Sequence, residues 1–316
     1  MRGSAWWSLL ARLGLAACHG RDIRKTEAEG PSTALAEARA FLSSGKPDDA
    51  LAALSDRNDP EALTVQGRAW MLKARQAEAS GVEGATQVGA LVAPLVLGPQ
   101  ASRSLALLDK AVATQPDLAD AHLAIAELLE PGAVRWLAAQ SQTRSPKAND
   151  RSHAKPPPAF EGDSVLGPDR VLQEYRRAAH ADRASVSIIE SWLRFSLTVG
   201  RPEESEVALQ ELVARRPRET EPLVRYGDFL RDVRGDATGA LERYGQALIW
   251  FPEDEAIKSR VAGVYLDLAE QCLRSREYSA AEQRLRDASR SVVDSTSPVG
   301  QRLLVLRQKL AEVRQR

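Results

Sequence analysis

The second half of the sequence contains a repeating pattern of paired helical segments. Between Glu219 and Glu253, two apolar faces at helical spacing flank Arg234-Gly235-Asp236, and Pro252 ends the second segment because proline cannot continue a helix. The same residue types recur at a period of about 35 residues. The matching positions are Leu209, Leu212 and Pro217 before Tyr244, Ala247 and Pro252, and Val261, Ala262 and Tyr265 after Tyr226, Gly227 and Leu230. This period predicts a stack of two-helix units.

The small residues of the repeat determine how closely its helices can pack. Gly227 and Ala262 lie where the first helix of a unit faces the second, so only a small side chain lets the two backbones approach. Tyr226, Tyr244 and Tyr265 are expected to fill the spaces beside them. Because two short helices cannot bury their apolar stripes alone, each unit needs a stacked neighbour. The alternative is a plain helical bundle with accidental spacing.

This pattern resembles the tetratricopeptide repeat (TPR), a helix–turn–helix unit of about 34 residues. The resemblance covers residues 33–295 in outline and is specific over residues 186–290. It implies an all-α fold, a right-handed α-solenoid of stacked antiparallel helix pairs, with residues 296–316 as a C-terminal capping helix. It also implies a scaffold that binds other proteins rather than an enzyme.

The charge balance argues against a nucleic-acid partner. Lys and Arg number 43, as do Asp and Glu, so the chain has no net charge and no global field to attract a polyanion. The 43% of hydrophobic residues is enough for a folded core. The abundance of Ala and Leu favours helix.

The N-terminal residues have the features of a secretion signal. Residues 1–18 begin with Arg2, continue with a mostly apolar run and end in Leu15-Ala16-Ala17-Cys18, which resembles the lipobox of bacterial lipoproteins. The resemblance implies a lipid on Cys18, residues 19–32 as a flexible tether, and a periplasm-facing location on a membrane of the bacterial envelope. Arg12 interrupts the apolar run, so an unprocessed, cytoplasmic N-terminus is the alternative. No stretch reaches the roughly 20 apolar residues of a transmembrane helix.

Two insertions separate the first and second helices of N-terminal units. Residues 33–139 predict degenerate units with an insertion at 80–100, whose uncharged centre is interpreted as a small helix at the solenoid edge or a partner-binding flap. Pro131-Gly132 predicts a break or kink in the helix that follows Asp117. Residues 140–167 are rich in Ser, Pro and charge, which predicts a disordered or loosely packed loop. Regular units follow over 168–295.

The sequence lacks the patterns of catalytic, metal and cofactor sites. The four histidines have no helical zinc spacing, and there is no phosphate loop and no nucleophile elbow. We therefore predict no catalytic residues, no metal and no cofactor. His122 is interpreted as a satisfied core residue, and Cys272 as an inert buried thiol.

The family resemblance also implies where a partner binds. In TPR proteins the first helices line the concave face, and the ligand-contacting motif positions fall here on Glu127, Glu190, Arg194, Glu221, Val224, Asp228, Arg231, Asp232 and Asp267. Their mixed charges have an acidic lean, which predicts an extended segment or a folded partner that presents Arg or Lys. The set lacks the converging Lys, Arg and Asn that grip a C-terminal carboxylate.

Taken together, these features predict a protein–protein interaction scaffold anchored to the bacterial envelope by Cys18. A cytoplasmic TPR adaptor is the alternative in the same class. A helical enzyme subunit with a site in the concave face is the alternative in another class.

Overall fold

The computed structural model describes residues 31–80, 97–143, 167–292 and 294–315. These residues form thirteen α-helices and no strand. The helices are α1 (Pro31–Ser43), α2 (Pro47–Ala53), α3 (Pro60–Ala79), α4 (Pro99–Thr114), α5 (Ala119–Thr143), α6 (Pro168–Ala181), α7 (Val186–Thr198), α8 (Pro202–Arg215), α9 (Thr220–Phe229), α10 (Ala237–Trp250), α11 (Glu255–Arg274), α12 (Tyr278–Ser291) and α13 (Pro298–Gln315). A π-helical turn, Leu230–Arg234, extends α9.

Prolines mark most helix boundaries. Seven of the described helices, α1, α2, α3, α4, α6, α8 and α13, begin on a proline, because its fixed φ suits the first helical position and its missing N–H is not needed there. Helices α4, α8 and α10 end shortly before Pro116, Pro217 and Pro252, because a proline disfavours helical backbone at the residue before it.

The helices pack as consecutive pairs. Each odd-numbered helix from α1 to α11 contacts the helix that follows it, and successive pairs contact one another. Short turns join most of the pairs, which makes their helices antiparallel neighbours. Helix α13 packs on both α11 and α12. The prediction of an all-α solenoid of helix pairs closed by a C-terminal helix is confirmed; its right-handed sense stays a prediction.

The turn inside four of these pairs requires left-handed backbone. Gly45, Gly200 and Gly235 have φ values of 76°, 66° and 67° in the α1–α2, α7–α8 and α9–α10 turns. Glycine accepts this conformation without steric cost. Arg276 fills the same role between α11 and α12 with φ 64°. The tight turn predicted at Arg234-Gly235-Asp236 is therefore present, and the Asp236 side chain caps α10.

The main core runs from α4 to α11 and is built from large rings beside small residues. Trp192, Tyr175, Tyr244 and Phe195 are the largest fully buried side chains among the described residues. A Cβ atom added to Gly227 would lie 2.5 Å from Tyr244 Cε1, so the two helices meet at this glycine, as the sequence predicts. Ala262 is fully buried as well. A separate C-terminal cluster holds α11, α12 and α13 together.

Of the break or kink predicted at Pro131, the break is wrong, because α5 continues through this residue to Thr143, and the kink stays a prediction. A proline inside a helix removes one backbone hydrogen bond and crowds the preceding turn. Leu129 and Ala133 are fully buried on either side of Pro131, and α5 makes extensive contact with α6. This packing outweighs the local cost. The ends of α1 and α5 also enter the segments predicted as a tether (19–32) and a loop (140–167).

Several sequence predictions concern residues outside the described ranges. These are the signal peptide, Cys18 and most of the tether, the centre of the 80–100 insertion, and the loop from 144 to 166. Within the described ranges, no helix combines the length and apolar character that a bilayer crossing requires.

Candidate partner-binding face

All nine residues predicted to contact a partner lie on first helices or on the turn that extends one of them. Glu127 belongs to α5, Glu190 and Arg194 to α7, Asp267 to α11, and Glu221, Val224 and Asp228 to α9, while Arg231 and Asp232 lie in the π-helical turn. Ion pairs join several of them to neighbouring units, and the others do not converge on a common site.

Arginine–carboxylate pairs connect successive first helices in the C-terminal half. Asp228 on α9 accepts from Arg260 Nε on α11 at 3.1 Å, and Arg231 Nε donates to Asp267 on α11 at 3.0 Å. Asp267 also pairs with Arg302 on α13 at 2.8 Å. Arg302 in turn reaches Glu270 at 3.0 Å. Asp228 and Asp267, two of the carboxylates that give this face its acidic lean, therefore already have arginine partners.

Asp228 also holds the second helix of its own unit. The Tyr244 hydroxyl on α10 donates to Asp228 at 2.6 Å. Burial and this hydrogen bond raise the pKa of Tyr244, so the phenol remains a donor throughout the physiological range. One carboxylate thus joins α9, α10 and α11.

The same three-helix arrangement occurs earlier in the solenoid. Tyr175 on α6 donates a short hydrogen bond to Glu130 on α5, and Arg194 on α7 donates to the same carboxylate at 3.4 Å. Sequence reasoning missed the roles of Glu130, Tyr175 and Arg260. A signal was present, because a tyrosine on the second helix follows a carboxylate on the first helix in both units.

The remaining predicted residues do not converge. Glu221 pairs with Arg225 on its own helix at 3.1 Å, and Asp232 pairs with its neighbour Arg231 at 3.6 Å. Val224 packs against the main core, and Glu190 is half-buried on α7. Glu127 lies 3.9 Å from Arg68 on α3, which brings it to the edge of a groove that the sequence did not predict.

This groove, which we call the N-terminal groove, lies between α1, α3 and α5 and has a volume of about 370 Å³. It is lined by Arg39, Leu42, Glu61, Thr64, Val65, Arg68, Leu118 and Asp120. Val65 and Thr64 are buried at its floor, while Arg39 and Glu61 are exposed at its rim. Arg68 donates to the Asp120 carbonyl oxygen at 3.3 Å and spans α3 and α5. The groove therefore combines an apolar floor with charges of both signs.

A buried ionic cluster fixes α6 against α5 beside this face. Glu174 is fully buried, accepts from His122 Nδ1 at 2.5 Å and pairs with Arg170 Nε at 2.6 Å. His122 Nε2 donates to the Pro116 carbonyl oxygen at 2.7 Å, so both ring nitrogens face acceptors. Arg170 also pairs with Asp109 at 3.0 Å.

The interpretation of His122 as a satisfied core residue is consistent with these contacts, and the cluster is structural. Burial alone would raise the pKa of Glu174, but the His122 hydrogen bond and the Arg170 charge outweigh it and lower the pKa. Among the described residues, no group of His, Cys, Asp and Glu side chains has the arrangement of a metal site. Cys272 is a free, half-buried thiol that packs against the C-terminal cluster.

The fold belongs to the class of α-solenoids built from stacked antiparallel helix pairs. Solved structures similar to this chain include TTC0263, a thermophilic TPR protein of Thermus thermophilus, with 17% identity, coverage of 74% of this chain and 97% of that chain, and a TM-score of 0.34. PilF of Pseudomonas aeruginosa shows 16% identity over 79% of this chain and 84% of that chain, with a TM-score of 0.30. YrrB, a TPR protein described as having an unusual peptide-binding site, shows 13% identity over 86% and 99%, with a TM-score of 0.35.

No family model and no curated protein matches the sequence.

Proposed function

We propose that this protein is a scaffold that binds an extended segment of a partner protein along its first helices, with the N-terminal groove as the principal contact. A solenoid of this kind offers a long, continuous surface rather than one enclosed pocket. The first helices α1, α3 and α5 contact one another in turn, so the surface is continuous across three units.

The observation that carries the proposal is the composition of the N-terminal groove. Its apolar floor suits alternate side chains of an extended peptide, and charged groups at the rim fix the register of such a ligand. The exposed Arg39 and Glu61 favour a segment that carries both acidic and basic residues. At the other end, α9, α11 and α13 present charges that already satisfy one another, so a ligand there must displace ion pairs to gain new ones.

Reversing the basic charges of the N-terminal groove should abolish partner capture. We expect the Arg39→Glu/Arg68→Glu variant to retain less than about one tenth of the wild-type binding, because the reversed charges repel the acidic residues of the segment. The measurement is a pull-down from an envelope extract, with the captured proteins compared between wild-type and variant bait. The matched control is Arg183→Glu/Arg218→Glu, which changes the net charge equally at two exposed positions away from the groove.

A second variant, Asp228→Lys/Asp267→Lys, tests the alternative contact in the C-terminal half. Capture that depends on Arg39 and Arg68 but not on these aspartates supports the N-terminal groove. Capture lost only with the aspartate variant would assign the contact to the ion-paired face. Equal capture by all variants would contradict binding along the first helices.

Membrane anchoring through Cys18 is the second part of the proposal. A multiply acylated cysteine gains about 0.8 kcal/mol of membrane affinity for each buried methylene. The residues between Cys18 and Pro31, where α1 begins, can span at most about 45 Å. An anchor at Cys18 would therefore keep α1 and the N-terminal groove close to the membrane surface.

Labelling with radioactive palmitate in a bacterial host tests this anchor. We expect the wild-type protein to incorporate the label and Cys18→Ala to lose it, because the lipid attaches to that sulfur. Cys272→Ala removes the other cysteine and should retain the label. An unlabelled wild type, or a labelled Cys18→Ala protein, would favour the cytoplasmic adaptor instead.

A further inference from the structure

The last described helix, α13, occupies the place of a first helix but has no second helix packed on it within the described part of the chain. It contacts α11 and α12 through Leu303, Leu306 and Leu310, all buried in the C-terminal cluster. Each earlier first helix, by contrast, has one side covered by the second helix of its own unit. The corresponding side of α13 is therefore left open.

A groove follows this open side. It has a volume of about 240 Å³ and lies between α12 and α13. Its lining residues are Glu282, Leu285, Arg286, Arg307, Leu310, Ala311 and Arg314. Leu304 is one turn from Arg307 and two turns from Ala311, so these three residues share one face of α13. Leu304 is 54% exposed and extends the apolar strip beyond the groove.

The ion pairs of Arg302 show which side of α13 carries this apolar strip. Arg302 reaches back to Asp267 and Glu270 of α11, so α11 lies on the Arg302 side of the helix. The strip formed by Leu304 and Ala311 lies on the side that borders α12. A helix placed there would pack on α13 and α12 together, as the second helix of a further unit would.

The charges around the groove select the kind of helix that fits. Arg314 pairs with Glu282 at 2.5 Å. Arg286 lies within electrostatic reach of the same carboxylate but forms no direct ion pair with a described residue, and neither does Arg307. Residues 302–316 contain five basic residues and one acidic residue. A second copy that packed its own α13 here would bring like charges together, which disfavours binding. An acidic partner would instead complement the guanidinium groups of Arg286 and Arg307.

We infer that the groove between α12 and α13 binds an amphipathic helix with acidic flanks from a partner protein. Its apolar stripe would cover Leu304, Leu310 and Ala311, and its carboxylates would pair with Arg286 and Arg307. This surface lies at the opposite end of the solenoid from the N-terminal groove, so one scaffold would hold two partner segments at once.

Fluorescence anisotropy with synthetic peptides tests this inference on the full chain. The probe is a labelled 14-residue peptide, the length of α10 and α12, with leucines at i, i+3 and i+7 and glutamates beside them. A matched peptide carries lysine in place of every glutamate. We expect saturable binding of the glutamate peptide and at least about tenfold weaker binding of the lysine peptide.

Two protein variants examine charge and shape separately. Arg286→Glu/Arg307→Glu should weaken binding of the glutamate peptide by at least about tenfold, and Ala311→Trp should do so by filling the groove. The Arg183→Glu/Arg218→Glu control should bind like wild type, since it alters charge equally elsewhere. Arg39→Glu/Arg68→Glu should also bind like wild type, which separates this site from the proposed N-terminal one.

The inference fails if the glutamate peptide does not bind, if both peptides bind equally, or if the distant charge reversals weaken binding as much as those in the groove. It also fails if sedimentation shows a dimer of this chain that Ala311→Trp dissociates, because a second copy would then occupy the groove.

Discussion

Replacing Gly227 with alanine is expected to lower the free energy of unfolding by about 1–3 kcal/mol. Helix propensity alone favours alanine over glycine by about 1 kcal/mol, so a destabilised variant would show that packing decides the outcome. The reason is the 2.5 Å distance between an added Cβ atom and Tyr244 Cε1. Tyr244 cannot move aside easily, because its ring is fully buried and its hydroxyl is held by Asp228. Equilibrium denaturation in urea measures the change.

Gly245 provides the matched control on α10, the same helix as Tyr244. An added Cβ atom there has no neighbour within 4 Å, and the residue is exposed. Gly245→Ala should therefore stabilise the protein by about 0.5–1 kcal/mol through helix propensity. If Gly227→Ala stabilised the protein to the same extent, the close contact between α9 and α10 would not constrain the fold.

The second large effect is expected at the buried ionic cluster. Glu174→Gln should lower the free energy of unfolding by about 1.5–3 kcal/mol at neutral pH, because it replaces the buried carboxylate that accepts from His122 and pairs with Arg170 by a neutral amide. Asp169→Asn on the same helix is the control. Asp169 is 80% exposed and, within the described part of the chain, pairs only with Arg201, so its loss should cost no more than about 1 kcal/mol. Urea denaturation of both variants and wild type gives the comparison.

The difference in unfolding free energy between wild type and Glu174→Gln should depend on pH in a defined direction. The pKa of Glu174 is lower in the folded protein than its ordinary value of 4.5, so the unfolded chain binds more protons in the window between these two values. The stabilisation by Glu174 is therefore complete above about pH 4.5 and is lost as the pH falls through the lowered pKa. The stability difference between wild type and Glu174→Gln should shrink in that acidic window. A difference that stayed constant into acid would show that the carboxylate charge is not what Glu174 contributes.

The helix pairs could be predicted from the sequence because their contacts are local and periodic. The positions of Gly227, Ala262 and Tyr244 follow from one repeat length, and the turn at Gly235 follows from the need for left-handed backbone. The break that the same reasoning allowed at Pro131 is wrong, because local preference there opposes tertiary packing. A sequence pattern reports local backbone preference but not tertiary packing.

The candidate site was less predictable, because its contacts join residues from different units. The N-terminal groove needs α1, α3 and α5 at specific distances, and α3 is followed by an insertion that disrupts the repeat register. The pairing of Asp228 with Arg260, or of Glu130 with Arg194, depends on how one unit rotates relative to the next. Repeat length does not determine that rotation. The charges on the first helices could therefore be predicted, but not which of them neutralise one another.

Helix α11 belongs to two hydrophobic clusters at once. Ile257 and Val264 pack into the main core, whereas Leu266 and Ala269 pack into the C-terminal cluster with α12 and α13. Unfolding that begins at the C-terminal cluster would therefore leave the apolar interior from α4 to α11 covered. Occupancy of the groove between α12 and α13 would oppose this fraying, so the terminal segment would become more rigid when its partner is present.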